Sequence, residues 1–218
     1  AQSDDMKKDL IENFKINPSK IIKINNPVDF EMINELKDEI IEQDYNKSYI
    51  KIVSIGNLSQ RKGFDLLLNV FQYLKNEPIK LTIFGDGRDK AELLQQKSDL
   101  QLENVSFFGK VNNPFPFVKQ ADLFILSSRY EGFPNVLLEA GACGTYSLAN
   151  NCPGGINEII QEGINGEIYD INDAEGFANK IKEILDKSYD KENIIESIKS
   201  RFSKKVIINQ YESLFEKL

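Results

Sequence analysis

Runs rich in β-branched and aromatic residues alternate along this chain with amphipathic stretches, and that alternation restricts the fold more than any other feature. The strand-like runs are Lys20–Ile24, Ile50–Ile55, Ile79–Phe84, Val105–Phe107, Asp122–Leu126 and Tyr146–Ala149. Between them, Phe64–Leu74 and Lys90–Leu100 place apolar residues at intervals of three and four, the spacing that gathers them on one helix face. Strand, helix and strand in repetition predict an α/β fold, a Rossmann-like parallel sheet flanked by helices. Beyond Asp170 the pattern is helical, over Glu175–Leu185, Asn193–Ser200 and Ser203–Leu218, the last with Val206, Ile207, Tyr211, Leu214 and Phe215 on one stripe. A chain of 218 residues, 41% hydrophobic, is long enough for one well-buried domain and too short for two full nucleotide-binding domains.

Composition narrows the chemistry. No run approaches the roughly 18 apolar residues that span a bilayer, and the start lacks the form of a signal peptide, so the expectation is a soluble, cytoplasmic chain. A net charge of −7 disfavours nucleic acid and anionic membrane as partners of this portion. The two cysteines, Cys143 and Cys152, form no Cys-x-x-Cys pair and read as small apolar fillers. The absence of histidine removes the commonest general base and transition-metal ligand.

The junction after Asp122–Ser128 is where chemistry is expected. Ligands of open parallel sheets bind beyond the carboxyl ends of strands. Here Pro134 suits a first helical turn, which leaves the amides of Asn135 and Val136 directed at an anion. Glu131 and Glu139 flank that turn with seven residues between them. Arg61 and Lys62 fall between the strand ending near Ile55 and the helix opening at Gly63 or Phe64, so two cations and helix amides can converge on one anion. Gly85-Asp86-Gly87-Arg88-Asp89-Lys90 lacks the third glycine of a dinucleotide fingerprint, and no Walker loop occurs, so no nicotinamide, flavin or metal cofactor is expected.

Several segments recur in one order: Asn26-Pro27-Val28-Asp29, Gly56-Asn57-Leu58-Ser59-Gln60-Arg61-Lys62-Gly63, Phe84-Gly85-Asp86-Gly87, Gly109-Lys110-Val111, the Glu131–Glu139 pair, Gly154-Gly155-Ile156-Asn157-Glu158 and Asn165-Gly166. Spanning roughly Asn26 to Asp170, this set resembles the retaining glycosyltransferases of family four, which have the two-domain GT-B architecture. The resemblance implies the C-terminal, nucleotide-sugar-binding half of such an enzyme. On that reading residues 1–18 are a linker helix from an N-terminal domain outside this chain, 19–200 the donor-binding domain, and 201–218 a helix that can cross back to the first domain.

The resemblance also assigns roles. Gly56 and Asn57 belong to the diphosphate loop, and Lys62 falls on the family's lysine. Asn57 stands where the family usually has arginine, a gap that Arg61 is placed to fill. Glu131 is implied to accept hydrogen bonds from donor-sugar hydroxyls, and Glu139 from the ribose, tasks suited to groups that accept and cannot donate. Gly132, Phe133, Pro134 and Asn135 form the turn at sugar and phosphate, with Phe133 alternatively a core anchor, and Val136 adds its helix-start amide. Gly109, Lys110 and Val111 lie beside the base. The implied donor is a UDP- or GDP-linked sugar, and the implied acceptor a glycan or lipid-linked glycan held by the other domain, with peripheral association at the inner face of the cytoplasmic membrane. Polysaccharide or lipopolysaccharide assembly is the expected setting. A nucleotide-sugar epimerase and a non-catalytic nucleotide-sugar-binding module are the alternatives.

Overall fold

A computed structural model describes residues 1–40 and 49–216. Its centre is a six-stranded, all-parallel sheet of β1 (Ile50–Ile55), β2 (Ile79–Phe84), β3 (Val105–Gly109), β4 (Leu123–Leu126), β5 (Ser147–Asn150) and β6 (Gly166–Tyr169). The strand order is β3-β2-β1-β4-β5-β6, the doubly wound order in which direction of travel reverses between β1 and β4. The helices are α1 (Asp4–Glu12), α2 (Phe30–Leu36), α3 (Phe64–Phe71), α4 (Lys90–Asp99), α5 (Phe115–Gln120), α6 (Asn135–Ala142), α7 (Ile156–Ile159), α8 (Ala174–Leu185), α9 (Lys191–Phe202) and α10 (Lys204–Phe215).

Side chains that alternate along each strand feed two separate cores. Ile52, Leu81, Leu123, Ile125 and Leu148 pack with Phe64, Leu67, Phe177 and Ile181 of α3 and α8 on one face. Val53, Phe84, Phe124, Leu126 and Ala149 pack with Phe115, Leu137, Leu138, Ile198 and Phe202 of α5, α6 and α9 on the other. All four residues of β4 are buried, which explains why it reads as a continuous apolar run rather than an alternating one.

Two expectations are corrected. The run Lys20–Ile24 is not a strand of this sheet: Pro18–Lys20 is a 3-10 turn, and residues 22–24 bond to the chain start. The Ile24 amide donates to the Ala1 carbonyl at 2.9 Å, and the Ala1 ammonium to the Ile22 carbonyl at 2.7 Å. The helix expected over residues 1–18 is shorter, capped by Ser3, whose side chain accepts from the Met6 amide, and ended at Asn13. It docks on the sheet's carboxyl end, with Asp5 Oδ2 accepting from the Gly154 amide at 2.8 Å. Along α10, Ile207 is buried while Tyr211 and Phe215 are exposed. The last two positions of the expected Ser203–Leu218 helix, 217 and 218, lie outside the described residues.

The small-residue run after Glu139 has a packing cause. A Cβ built on Gly141 would sit 2.5 Å from Ile198 Cγ1, so the missing side chain is what lets α9 approach α6. Alanine would gain about 0.5 to 1 kcal/mol of helix propensity and meet about 1 to 3 kcal/mol of overpacking. Overpacking wins, and Gly141→Ala is expected to destabilise the fold by a net ~1 kcal/mol, read as a lower denaturant midpoint. An unchanged or raised midpoint would show that α9 is free to move aside.

Candidate functional site at the strand switch point

Loops that leave β1, β4 and β5 meet at the carboxyl end of the sheet. After β1 the chain passes Gly56–Ser59, makes a 3-10 turn over Gln60–Lys62 and enters α3 through Gly63. Gly63 has φ +64°, and a Cβ there would run into the Ser127 carbonyl, so glycine is required both for conformation and for contact with the loop after β4. Ser127 Oγ returns a hydrogen bond to the Lys62 carbonyl at 2.8 Å. Arg129 adds a second tie: its amide donates to the Arg61 carbonyl at 2.8 Å, and its guanidinium forks onto both oxygens of Asp65 at 2.7 and 2.6 Å.

Glu131 lies at the junction. Its amide donates to the Pro153 carbonyl at 3.0 Å, which fixes it against the loop after β5. Oε1 accepts from Lys62 Nζ and from Ser128 Oγ, each at 2.6 Å, and Oε2 accepts from Arg61 Nη1 at 2.9 Å. The side chains of Glu131 and Lys62 are 7% and 11% exposed, while that of Arg61 is 38% exposed. Lys62 reaches Glu131 with its stem laid along Gly56, where a built Cβ would be 3.2 Å from Cδ and Cε. Burial pushes the Glu131 carboxyl up, but hydrogen bonds from Lys62 and Ser128 with the charges of Lys62 and Arg61 outweigh it and hold it below its ordinary value.

A cavity of about 350 Å³ opens beside Gly56, lined by Ile55, Gly56, Asn57, Phe84, Gly85, Asp86, Lys110, Val111 and Pro114. Gly109, at φ +92°, turns the chain into this wall, with its carbonyl accepting from the Gly85 amide at 2.9 Å. On the other flank α6 begins at Asn135, with Pro134 before it, and the Asn135 side chain is held by Asn26 Nδ2 at 2.8 Å. Phe133 is a core anchor: its ring is buried in edge contact with Phe202, centroids 5.8 Å apart, which leaves only its main chain for a ligand. Val136 is half-buried against the second core.

The structure therefore brings together Arg61, Lys62 and Glu131, and beside them Gly56, Asn57, Lys110 and Val111. Both cations contact Glu131. Glu139 stands apart in the second turn of α6. Its carboxylate has no hydrogen-bond partner among the described residues, and burial pushes it above the ordinary range. Sequence reasoning missed Ser128, which holds Glu131, and Asn150, whose buried amide donates to the Ser128 carbonyl at 2.9 Å. It also missed the Arg129–Asp65 clasp. A serine three residues before a glutamate carries no periodic signal, and the clasp spans 64 residues of sequence.

The sequence model of the family "Glycosyl transferases group 1" matches residues 37–201. An N-acetylgalactosamine-N,N'-diacetylbacillosaminyl-diphospho-undecaprenol 4-alpha-N-acetylgalactosaminyltransferase of Campylobacter jejuni is 30% identical over 82% of this chain and 48% of its own. The N-acetyl-alpha-D-glucosaminyl L-malate synthase of Bacillus anthracis is 32% identical over 75% of this chain and 44% of its own. The chain thus spans about half the length of these relatives. Anabaena Alr3699/HepE in complex with UDP superposes with a TM-score of 0.87 over the whole chain and 63% of its own, at 22% identity, a likeness of fold.

Because the Glu131 carboxyl is held below its ordinary value, its stabilisation is complete above the unfolded carboxylate range and is lost as pH falls through the lower folded value. Glu131→Gln leaves Lys62 buried beside a neutral amide and is expected to cost about 3 kcal/mol at pH 7. The gap from the parent should close as denaturation is repeated at lower pH. A gap independent of pH would show that the carboxylate's charge is not what stabilises the loops.

Proposed function

The chain belongs to the group 1 glycosyltransferases, and from that premise we propose that it is the donor-binding half of a retaining enzyme. That enzyme transfers a sugar from a nucleoside-diphosphate sugar to an acceptor hydroxyl during glycan or polysaccharide assembly. The observation that carries this reading is the Arg61–Lys62–Glu131 cluster, set at Gly56 against the cavity at the carboxyl ends of β1 and β2. The base would occupy the cavity between Phe84 and Lys110-Val111, the ribose would lie towards Glu139, the diphosphate would run past Gly56 to Lys62, Arg61 and the first amides of α6, and the sugar would reach Glu131. UDP is the favoured nucleotide, since Alr3699/HepE is described in complex with UDP and with UDP-glucose.

In the reaction the bond between the anomeric carbon and the phosphate oxygen breaks and its electron pair stays on that oxygen. Lys62, Arg61 and the α6 amides would stabilise the growing charge. The acceptor oxygen bonds the anomeric carbon on the face that the phosphate leaves, and its proton passes to the departing phosphate. Configuration is retained. The acceptor would bind on a domain outside these 218 residues, and the undecaprenol-linked substrate in the name of the Campylobacter relative supports a lipid-linked glycan as its class.

Glu139 supplies a separable test. Glu139 is half-buried with no hydrogen-bond donor among the described residues, and a ribose would bring hydroxyls to it. Its raised value means that the folded chain binds this proton more tightly than the unfolded chain, so its cost grows as pH rises from the unfolded value towards the folded one and is fully felt above it. Glu139→Gln is therefore expected to raise the melting temperature at pH 7 and weaken UDP binding about tenfold in calorimetric titration. Loss of stability with unchanged binding would make Glu139 a structural residue. The full-length protein, given UDP-sugar and a lipid-linked acceptor, should yield a glycosylated acceptor with retained configuration. An epimerised nucleotide sugar, or no product, would favour the alternatives.

A further inference from the structure

Glu131 has two oxygens and about four acceptor positions, of which three are filled. Oε1 is saturated by Lys62 and Ser128, both buried and both fixed by the loops they stand on. Oε2 holds Arg61, the exposed member of the cluster, on a long side chain that also passes the Tyr130 ring at 5.9 Å. Oε2 has one open position for a sugar hydroxyl, and a second hydroxyl there, with the guanidinium turned to a diphosphate, requires Arg61 to change partners.

We propose that Arg61 is a shared cation that exchanges between Glu131 and the donor diphosphate, making it a specificity residue that separates the intact donor from the spent nucleotide. This rests on the donor-site reading above. With nucleotide sugar bound, Arg61 moves to the phosphate and the vacated Oε2 receives a sugar hydroxyl, so both ends of the exchange are satisfied. After transfer the sugar is gone, and Glu131, buried and short of a donor, draws Arg61 back. The nucleoside diphosphate then keeps Lys62 and loses one cation, which promotes its release. Asn57, next to Gly56 on the cavity wall, has no charge to replace it. Lys62 stays in place, because its stem lies along Gly56 and its ammonium, 2.6 Å from Glu131 Oε1, has further N–H donors to give a phosphate without leaving the carboxylate.

The test is a thermodynamic cycle. The chain, Arg61→Ala, Glu131→Gln and the double variant are titrated calorimetrically with UDP, GDP and ADP and with UDP-glucose, GDP-glucose and ADP-glucose, each variant first shown to be folded by circular dichroism. In the series that binds, Glu131→Gln is expected to tighten the nucleoside diphosphate about tenfold, by releasing Arg61 to it, and to weaken the sugar conjugate about tenfold. Arg61→Ala should weaken the sugar conjugate about tenfold and leave the nucleoside diphosphate within about twofold. In the Arg61→Ala background the gain from Glu131→Gln should shrink to about twofold or less. Equal gains with and without Arg61, or a loss of nucleoside diphosphate affinity in Glu131→Gln, would overturn the exchange while leaving the donor site standing. Failure of every nucleotide to bind any folded variant would overturn both. Should Glu131→Gln prove unfolded, Glu131→Asp takes its place, since its shorter carboxylate cannot hold Arg61, and the same coupling is expected.

Discussion

The buried ion pair between Lys62 and Glu131 is the interaction on which the rest of the site depends. Taking either charge out of water alone costs several kcal/mol. Each ion is tolerated because the other lies 2.6 Å away and because Ser128 fills a further acceptor position. Such a pair adds little to net stability compared with well-packed apolar groups. Its contribution is geometric: a carboxylate and an ammonium that cannot part without a large penalty fix the spacing of the two loops that carry them.

That spacing is possible only because of strand order. Glu131 and Lys62 are 69 residues apart in sequence, yet β1 and β4 are neighbours, paired through Ile52–Leu123 and Val53–Phe124. Helices leaving these strands go to opposite faces, α3 to one core and α6 to the other, so a crevice opens between them. The Gly63–Ser127 contact and the Arg129 clasp then narrow it at the β1 side, while the loop after β5 closes it beneath Glu131. Arg61 and Lys62 are therefore positioned by backbone contacts between loops rather than by neighbours on one helix.

How much of this could be read from the residues varies with the type of signal. β1 and β2 were legible to the residue, because each is a β-branched run bounded by turn residues. β6 was not: Gly166-Glu167-Ile168-Tyr169 is four residues long, begins with glycine and lies at the sheet edge, so it reads as a turn. Lys20–Ile24 has the composition of a strand and none of the sheet's pairing, because composition specifies what can form a strand and not what it meets. The helix α5 was hidden by Pro114 and Pro116, which are tolerated in a first turn but look like breakers. Within the site, residue types and loop positions were legible. That Arg61 and Lys62 face a glutamate before they face a ligand was not, since it arises from a contact across the switch point.

For an acidic chain the proposed diphosphate site presents an electrostatic conflict, and distance resolves it. The net charge is −7, but at physiological ionic strength an exposed charge is largely screened beyond ~8 Å, so the anion senses its immediate surroundings. There a diphosphate would meet Lys62, Arg61 and the start of α6, against the single negative charge of Glu131. Two cations and one carboxylate leave one net positive charge in the cluster, less than a diphosphate requires. The balance shifts if Glu131 is turned from an ion-pair partner into an acceptor for sugar hydroxyls, because its charge is then answered by the ligand's own donors. A sugar is needed for that compensation, and so on the proposed exchange the charge deficit would make the cluster a poor home for a bare nucleoside diphosphate and suit it to an intact donor.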